Sequence, residues 1–369
     1  MTKTDRLIGE LSKNLVCYDI GSRFMSDNDV CKRYKISLPV ARSALAAMAQ
    51  NGLIRRVAAK GTYVLSHSPA PRVNRSLKIA VFSCIGQWFP HANAVRMIEQ
   101  YLLREGHDLV ILNNGYEHSK PHNIDQIALM IEDALNKFDG VIWISAHIDE
   151  QPVLPDILRR HAGRVVFINL LFSDRLATCV MRDDRAGEFA LTTHLARQGH
   201  RRIAFLGGPE NRFMCRMRWE GFRAALLAEN IPLDERYTKK FQPETGYETG
   251  RQNMDDLLNL PERPTACACI VDIMALGALA SLREHGLQVP ADMALTGFDN
   301  YETPSLPAVL TTADLALDEI GRLAAMHLTN QLNDRARAGT ILYVPCPILI
   351  RSSTDAGRKP EIKTPMAIA

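Results

Sequence analysis

The sequence predicts an α/β protein in which two lobes of parallel sheet follow a small basic head. The chain has 369 residues, enough for two or three domains. Beyond residue 76, apolar runs typical of buried strands alternate with helical stretches. The first 75 residues contain 13 Lys or Arg against 5 Asp or Glu, although the net charge of the whole chain is only +3. A basic head suggests a polyanionic partner, and the alternative is a solvated basic surface.

Three helices are predicted in the head. Apolar residues recur with the helical period over 5–15, which predicts the first helix. Ser26 precedes two aspartates, as expected of a helix N-cap followed by carboxylates in the first turn, so a second helix should cover 27–34. Ser37 then precedes the apolar-faced segment 38–52, which ends at a glycine. The second and third helices are close enough in the chain to form a helix-turn-helix.

A β-hairpin should follow these helices. Residues 53–57 and 62–65 have strand character, and the polar turn between them contains Lys60 and Gly61. In this position a hairpin forms the wing of a winged helix-turn-helix domain, predicted for residues 1–66. The stretch 67–76 has the polar, proline-containing composition of a linker.

The remaining chain alternates strands and helices in regular order. The predicted strands are LKIAVFS, DLVILN, GVIWIS, RVVFINL, CVMRDD, RRIAFLGG, TACACIV and MALTGFDN, and the helices cover 94–105, 124–136, 185–198, 219–229 and 274–285. This order predicts parallel sheets with right-handed crossovers, whose strands are buried on both faces. Residues 77–353 exceed one compact sheet, so we expect two lobes with a ligand cleft at the strand carboxyl ends, and a tail at 354–369.

Two known families share motifs with this sequence. The head, from GSRFMSDNDV to GTYVL, resembles the GntR-type winged helix, although Leu38 and Val40 replace the usual Arg and Thr. The blocks DDRAG, GHRRIAFLGGP, RWEGFRAAL, PTACACIVDIMALGAL and GFDN resemble the LacI/GalR effector-binding domain. The resemblance implies a periplasmic-binding-protein-like two-lobed domain of parallel α/β sheets behind the winged helix-turn-helix. This layout is that of arabinose-responsive repressors.

The resemblance implies a homodimeric transcription repressor of carbohydrate-utilisation genes, which binds a double-stranded DNA operator and is released by a small sugar effector. An activator of the same architecture, or a sugar-binding protein without a regulatory role, is the alternative. No membrane span and no export signal is expected, which predicts a cytoplasmic protein. An enzyme is disfavoured because GGPENR lacks the G-K-[ST] of a phosphate loop, and neither H-E-x-x-H nor G-x-S-x-G occurs.

Predicted DNA contacts come from the second and third helices and the wing. They are Ser26, Arg33, Lys35, Ser37, Arg42, Lys60, Gly61 and Thr62. Arg42 lies opposite the apolar stripe of the third helix and is expected to reach bases or phosphates in the major groove. The serines have an alternative role as simple helix caps, and Arg33, Lys35 and Lys60 as solvated charges.

Predicted effector contacts come from both lobes. They are Gln87, Trp88, Phe89, Ser145, Asn169, Arg218, Asp272 and Asp299. By resemblance, Arg218 and Asp299 form a charged pair in the cleft, where charge-assisted hydrogen bonds to hydroxyl groups are strong. Asp272 has an alternative role as a helix cap, and the aromatic residues as core. Val271 stands where the family has an asparagine.

The eight cysteines are scattered, and most lie in apolar stretches where they pack as small hydrophobic residues. Cys267 and Cys269 alone are close in sequence, and this pair does not supply the further ligands that zinc requires. We expect reduced thiols, no metal and no cofactor.

Overall fold

The computed structural model describes residues 3–15, 17–50, 53–57, 61–65, 76–83, 90–114, 123–145, 151–300 and 309–355. The chain divides into two compact units, Met1–Leu77 and Lys78–Ala369. Among the described residues, none of the helices combines the length and the apolar character needed to cross a membrane.

The first unit contains three helices and a small antiparallel sheet. Its elements are α1 (Lys3–Leu15), β1 (Arg23–Phe24), α2 (Asp27–Tyr34), α3 (Leu38–Gln50), β2 (Ile54–Val57) and β3 (Gly61–Val64). The predicted helices and both hairpin strands are therefore present, whereas β1 was not predicted. The sheet order is β1-β3-β2, so β3 is its central strand.

One apolar core holds the first unit together. Leu11 and Leu15 of α1 pack with Leu45 and Met48 of α3, and Val64 of the sheet joins them. The start of α2 is fixed by Ser26, whose hydroxyl accepts from the Asp29 amide while the Asp29 carboxylate accepts from the Ser26 amide. The predicted N-cap at Ser26 is confirmed.

The second unit alternates strands and helices through most of its length. Its first half contains β4 (Lys78–Ser83), α4 (Pro90–Arg104), β5 (Asp108–Asn113), α5 (Ile124–Leu135), β6 (Gly140–Ile144), α6 (Asp156–Arg159), β7 (Val165–Ile168) and β8 (Thr178–Asp183). Its second half contains α7 (Asp184–Arg197), β9 (Ile203–Gly208), α8 (Phe213–Ala228), β10 (Thr238–Phe241), α9 (Tyr247–Leu258), β11 (Ala266–Cys269), α10 (Asp272–Glu284), β12 (Ala294–Thr296), β13 (Thr312–Ala313), α11 (Leu317–Leu332), β14 (Ile341–Pro345) and β15 (Ile348–Leu349).

These strands build two parallel sheets, as predicted. One has the order β14-β8-β7-β6-β4-β5 and the other β10-β9-β11-β12, and every neighbouring pair in both is parallel. Each sheet has its own apolar cluster, around Trp143 and Phe167 in the first and around Phe205 and Phe222 in the second. The chain passes from the first sheet to the second where β8 leads directly into α7.

The structure corrects one general expectation about these strands. Most are buried on both faces, but β5 is an edge strand whose residues are largely exposed, including Val110 and Ile111. An edge strand has a neighbour on only one side and so has an unpaired backbone edge, and β5 also has apolar side chains that are not covered in the single chain.

Candidate functional site

Polar residues collect at the carboxyl ends of the strands in the six-stranded sheet. Ser145 follows β6, and its backbone amide donates to the Ile168 carbonyl at the end of β7. Asn169 comes next, with a left-handed backbone (φ 56°), and its side-chain oxygen accepts from the Arg182 amide at 3.3 Å. Ser145 and Asn169 therefore lie at the predicted edge, where parallel sheets bind ligands. Their contact with an effector stays a prediction.

Arg218 of α8 is fully buried, with 0% of its side chain exposed. Its Nε donates to Oδ1 of Asp184 at 2.8 Å, and its Nη1 donates to the Ile270 carbonyl and, at 3.3 Å, to Oδ1 of Asp299. The guanidinium carbon lies 3.5 Å from the centre of the Phe298 ring. The predicted Arg218–Asp299 pair is present, and protein acceptors already occupy Nε and Nη1 of Arg218.

Asp299 is the more accessible member of that pair, with 19% of its side chain exposed. It follows β12 with a φ of 128°, and its amide donates to the Ala313 carbonyl at 2.9 Å. Burial raises the pKa of Asp299 to about 7, and the nearby Arg218 charge opposes that increase. A carboxyl group in this state can donate or accept a hydrogen bond near neutral pH.

Asp272 begins α10 and joins it to a neighbouring strand. Its Oδ1 accepts from the Thr312 hydroxyl at 2.7 Å, and its amide donates to the Phe298 carbonyl at 2.8 Å. The N-cap of α10 is Val271. The alternative role of Asp272 as the helix cap is therefore wrong, because its carboxylate fixes β13 next to Asp299.

Sequence reasoning missed two residues at the β8–α7 junction. Asp184 receives Arg218 on Oδ1, and its Oδ2 lies 3.5 Å from Nε of Arg182. The Arg182 Nη2 donates to Met214 Sδ at 3.8 Å. The DDRAG block was noted in the sequence only as a family motif. The structure shows that its second aspartate, Asp184, is buried and pairs with Arg218.

A second buried carboxyl lies in α7. Glu188 is fully buried, its Oε1 accepts from the Thr192 hydroxyl at 2.9 Å, and its Oε2 has no hydrogen-bond partner among the residues that the structure describes. Burial raises the pKa of Glu188 to about 8, against the opposing effects of the Thr192 hydrogen bond and the Arg218 charge. It is therefore mainly protonated at neutral pH.

An aromatic residue at the second sheet was also missed. Phe241 ends β10, and with Gln242 and Pro209 it lines an open depression of about 670 Å³ at the carboxyl ends of β9 and β10. The predicted aromatic contacts of the first sheet, Gln87, Trp88 and Phe89, lie outside the described residues. In the part of the chain that the structure describes, no cluster of His, Cys, Asp and Glu is arranged to hold a metal.

In the first unit, one carboxylate connects α2, α3 and the sheet. Arg42 of α3 has 64% of its side chain exposed, and its Nε lies 3.4 Å from Oδ2 of Asp27. Arg56 of β2 donates from Nη2 to both oxygens of Asp27, at 2.6 and 2.8 Å. Arg42 therefore points away from the core, as predicted, and Asp27 is a partner that the sequence reading did not identify.

The other predicted DNA contacts differ in placement. Arg33, Lys35 and Ser37 are exposed around the α2–α3 turn, where Lys35 has a left-handed backbone (φ 51°). Gly61 at the start of β3 has a φ of 119°, which favours glycine. Thr62 in the central strand β3 is buried, and its predicted DNA contact stays a prediction. Lys60 lies outside the described residues.

Comparisons with known proteins agree with this architecture. The profile of the periplasmic binding protein-like domain family matches residues 192–354. The HTH-type transcriptional repressor CytR of Escherichia coli K12 is 31% identical over 264 residues, which cover 71% of this chain and 74% of CytR. The arabinose metabolism transcriptional repressor of Geobacillus stearothermophilus is 28% identical over 338 residues, covering 89% of this chain and 90% of the repressor.

Solved structures share the fold at lower identity. The transcriptional regulator CelR–cellobiose complex has a TM-score of 0.61 at 20% identity and covers 96% of this chain and 100% of CelR. The lac repressor dimer bound to operator and the anti-inducer ONPF has a TM-score of 0.61 at 22% identity, covering 76% of this chain and 94% of that one. With the α/β architecture and the extent of the CytR match, these findings show that the chain belongs to the LacI/GalR family of transcription regulators, with a periplasmic-binding-protein-like effector domain.

Proposed function

We propose that this protein is a repressor of carbohydrate-utilisation genes, whose first unit binds operator DNA and whose second unit binds a small sugar that releases it. The observation that carries the proposal is the charged cluster around Arg218, at the point where the chain passes between the two sheets. Relatives that are named repressors support the regulatory role. A DNA partner also implies that the protein acts in the cytoplasm.

For the first unit, we infer a GntR-type winged helix over residues 1–66, joined by a linker at 67–76. Family membership rests on the second unit, and LacI-type regulators use a different helix-turn-helix. The antiparallel strands β2 and β3 after α3 are what a wing requires. The second unit makes up about four fifths of the chain, whereas the match to the arabinose repressor covers 89% of the whole chain. That match must therefore include part of the first unit.

For DNA recognition, we propose that α3 enters the major groove with Arg42 facing the bases or phosphates. Arg33, Lys35 and Ser37 then lie beside the phosphate backbone, and Ser26 fixes the start of α2. Each phosphate neutralised by a cation contributes about −0.9 to the slope of log K against log salt. The binding by the first unit should therefore weaken steeply as salt increases.

For the effector, we propose a pocket between the carboxyl ends of the two sheets. Asp299 supplies a partly exposed carboxyl, Arg218 and the Asp272–Thr312 contact hold it in place, and Ser145 and Asn169 lie at the carboxyl ends of strands in the first sheet. Phe241 offers an aromatic face for the C–H side of a sugar ring, together with the predicted contacts at 87–89. Val271 replaces the asparagine of the family, so the side-chain amide is absent and Asp299 contributes more of the sugar recognition.

The coupling between sugar and operator has a thermodynamic basis. A ligand shifts DNA affinity only through its different affinities for the two arrangements of the domain, and a coupling of about 1 to 3 kcal/mol changes affinity roughly 5- to 150-fold. Groups that belong to both sheets supply this difference when they contact one ligand together.

The decisive experiment uses the full chain and DNA fragments that it selects from a random library. Operator affinity is measured by fluorescence anisotropy with and without each member of a monosaccharide panel. A sugar that weakens operator binding at least 5-fold supports the proposal. Arg42→Ala should lower operator affinity but keep the sugar-induced thermal shift. If the protein selects DNA but no monosaccharide of the panel changes its operator affinity, a sugar effector is ruled out. If no DNA fragment is selected, the role as a repressor is ruled out.

A further inference from the structure

Arg182, near the end of β8, has hydrogen-bonding capacity that the described residues do not use. Among them its buried Nε has no hydrogen-bond partner, and a carboxylate oxygen of Asp184 lies 3.5 Å away. Its Nη2 donates to the weak acceptor Met214 Sδ at 3.8 Å. A guanidinium is a planar fork of five donors that suits carboxylate and phosphate oxygens. Arg182 is therefore poorly satisfied by its own protein.

The comparison with Arg218 sharpens this point. Arg218 has no exposed side-chain surface and already donates to Asp184, the Ile270 carbonyl and Asp299. Arg182 retains 15% exposure. Each arginine has one buried nitrogen without a hydrogen-bond partner among the described residues, Nε in Arg182 and Nη2 in Arg218, but only the Arg182 side chain is partly exposed to a ligand. The arginine that the family motif draws attention to is not the one that is available.

His91, in the first turn of α4, is a second buried polar group without a partner. It is 6% exposed, and within the described part of the chain its Nδ1 has no hydrogen-bond partner. Burial lowers the pKa of His91 to about 4, and the nearby positive charge of Arg182 adds to the effect. At neutral pH it is uncharged, so it can hydrogen-bond a ligand but does not compete with Arg182 for an anion.

We propose that Arg182 binds an anionic oxygen group of the effector, with His91 beside it. The ligand is then an acidic or phosphorylated sugar instead of a neutral one, an inference that rests on the proposed effector pocket. Arg182 is the next-to-last residue of β8, at the same edge of the sheet as Ser145 and Asn169, and its amide donates to the Asn169 side-chain oxygen. A carboxylate or phosphate placed there replaces the long contact to Asp184 with short, charge-assisted hydrogen bonds.

The test measures thermal unfolding of the full chain with inorganic phosphate, D-glucuronate, D-glucose 6-phosphate and D-glucose, at ionic strength matched with sodium chloride. Variants are Arg182→Gln, Arg182→Lys, and Arg185→Gln as the control. Arg185 is an exposed arginine in the first turn of α7, so its replacement makes the same change of charge. Ligand-induced shifts are compared with the baseline of each variant, which separates binding from any loss of stability.

We expect a saturable shift with at least one of the three anions, retained in Arg185→Gln, partly retained in Arg182→Lys and weakened about 10-fold or more in Arg182→Gln. Glucuronate and glucose 6-phosphate distinguish a carboxylate ligand from a phosphate ligand. The inference is overturned if no anion acts beyond sodium chloride, or if Arg182→Gln responds like the parent.

The outcomes also separate this inference from the proposed function. If glucose shifts the melting temperature equally in the parent and in Arg182→Gln, and the anions have no effect, sugar binding is supported and the anionic ligand is overturned. A response to phosphate that depends on Arg182, without any carbohydrate that changes operator affinity, supports the anion site and overturns the sugar effector.

Discussion

Arg218 and Asp184 form a buried ion pair in which both Nε and Nη2 of the arginine lie 2.8 Å from the same carboxylate oxygen. Neither side chain has appreciable contact with solvent. Removal of one partner from such a pair strongly destabilises the folded protein, because the other partner is left as an uncompensated buried charge. Arg218 thus organises the interior around the effector pocket as well as holding Asp299.

Arg218→Ala should destabilise the second unit by about 3 to 5 kcal/mol, since Asp184 loses its closest cation. The free energy of unfolding in urea measures this loss. Arg223→Ala, an exposed position on the same helix, is the matched control and should change stability by less than about 1 kcal/mol. Equal effects of the two substitutions would contradict the structural role of the pair.

Glu188→Gln should flatten the dependence of stability on pH. The folded protein holds a proton on Glu188 up to a pKa of about 8, whereas the ordinary value is 4.5. Between these values the folded state binds more protons than the unfolded state, so this group makes the free energy of unfolding fall as pH rises from about 4.5 to about 8. Glutamine cannot ionise and should keep the hydrogen bond to Thr192.

Melting temperatures of both proteins between pH 5 and pH 8.5 test this directly, since the range spans most of the pKa shift. The parent should lose stability relative to Glu188→Gln as pH rises, and the difference should level off above pH 8. Parallel curves would show that Glu188 does not carry the raised pKa.

Much of the fold was predictable because its signals are local. Eight apolar runs gave eight strands of the two sheets, and the serine-aspartate pattern gave the start of α2. The strand β10, with the sequence TKKF, was missed because it is an edge strand with half-buried polar residues. Such a strand lacks the continuous apolar run by which buried parallel strands are found.

The predicted site residues show where local signals end. The acceptors of Arg218 lie 34, 52 and 81 residues away in the chain, and of these only Asp299 was predicted, through the family resemblance, whereas Asp184 and the Ile270 carbonyl were not. Thr62 was predicted as a DNA contact from its place at the wing. The structure buries it in β3, which pairs with β1, a strand of two residues that no sequence pattern indicated.

Gly277→Ala should destabilise the second unit by about 3 kcal/mol. A Cβ at Gly277 in α10 would lie 1.8 Å from the Tyr247 carbonyl oxygen of α9, and a backbone atom cannot move aside as a flexible side chain does. Gly163→Ala is the control, because nothing lies within 4 Å of its added Cβ. Urea unfolding of both variants measures the difference, and an unchanged midpoint for Gly277→Ala would contradict this close helix contact.

Ile111→Lys should weaken the homodimer that the family resemblance implies. Val110 and Ile111 on the edge strand β5, with Leu103 of α4, expose large apolar side chains that an interface would cover. Sedimentation velocity at micromolar concentration should show a dimer for the parent and a monomer for the variant. Lys137→Ala, an exposed substitution elsewhere in the second unit, should leave the dimer intact. A monomeric parent, or a dimeric Ile111→Lys variant, would exclude this face.

The carboxylate of Asp27 touches two arginines, and this arrangement gives Asp27→Asn opposite effects on two kinds of DNA binding. Loss of a negative charge should strengthen binding to random DNA. Loss of the contacts to Arg42 and Arg56 should let Arg42 move, which lowers discrimination between operator and random DNA by about 3- to 10-fold, since exposed ion pairs are individually weak.

Asp29→Asn provides the control for charge alone, because Asp29 lies on the same helix turn and bonds Ser26 instead of an arginine. It should strengthen binding to both kinds of DNA and leave their ratio near that of the parent. Anisotropy titrations of the three proteins at a fixed salt concentration supply both affinities, and circular dichroism shows whether α2 stays folded. If Asp27→Asn and Asp29→Asn gave the same ratio, Asp27 would contribute charge only and would not orient Arg42 for recognition.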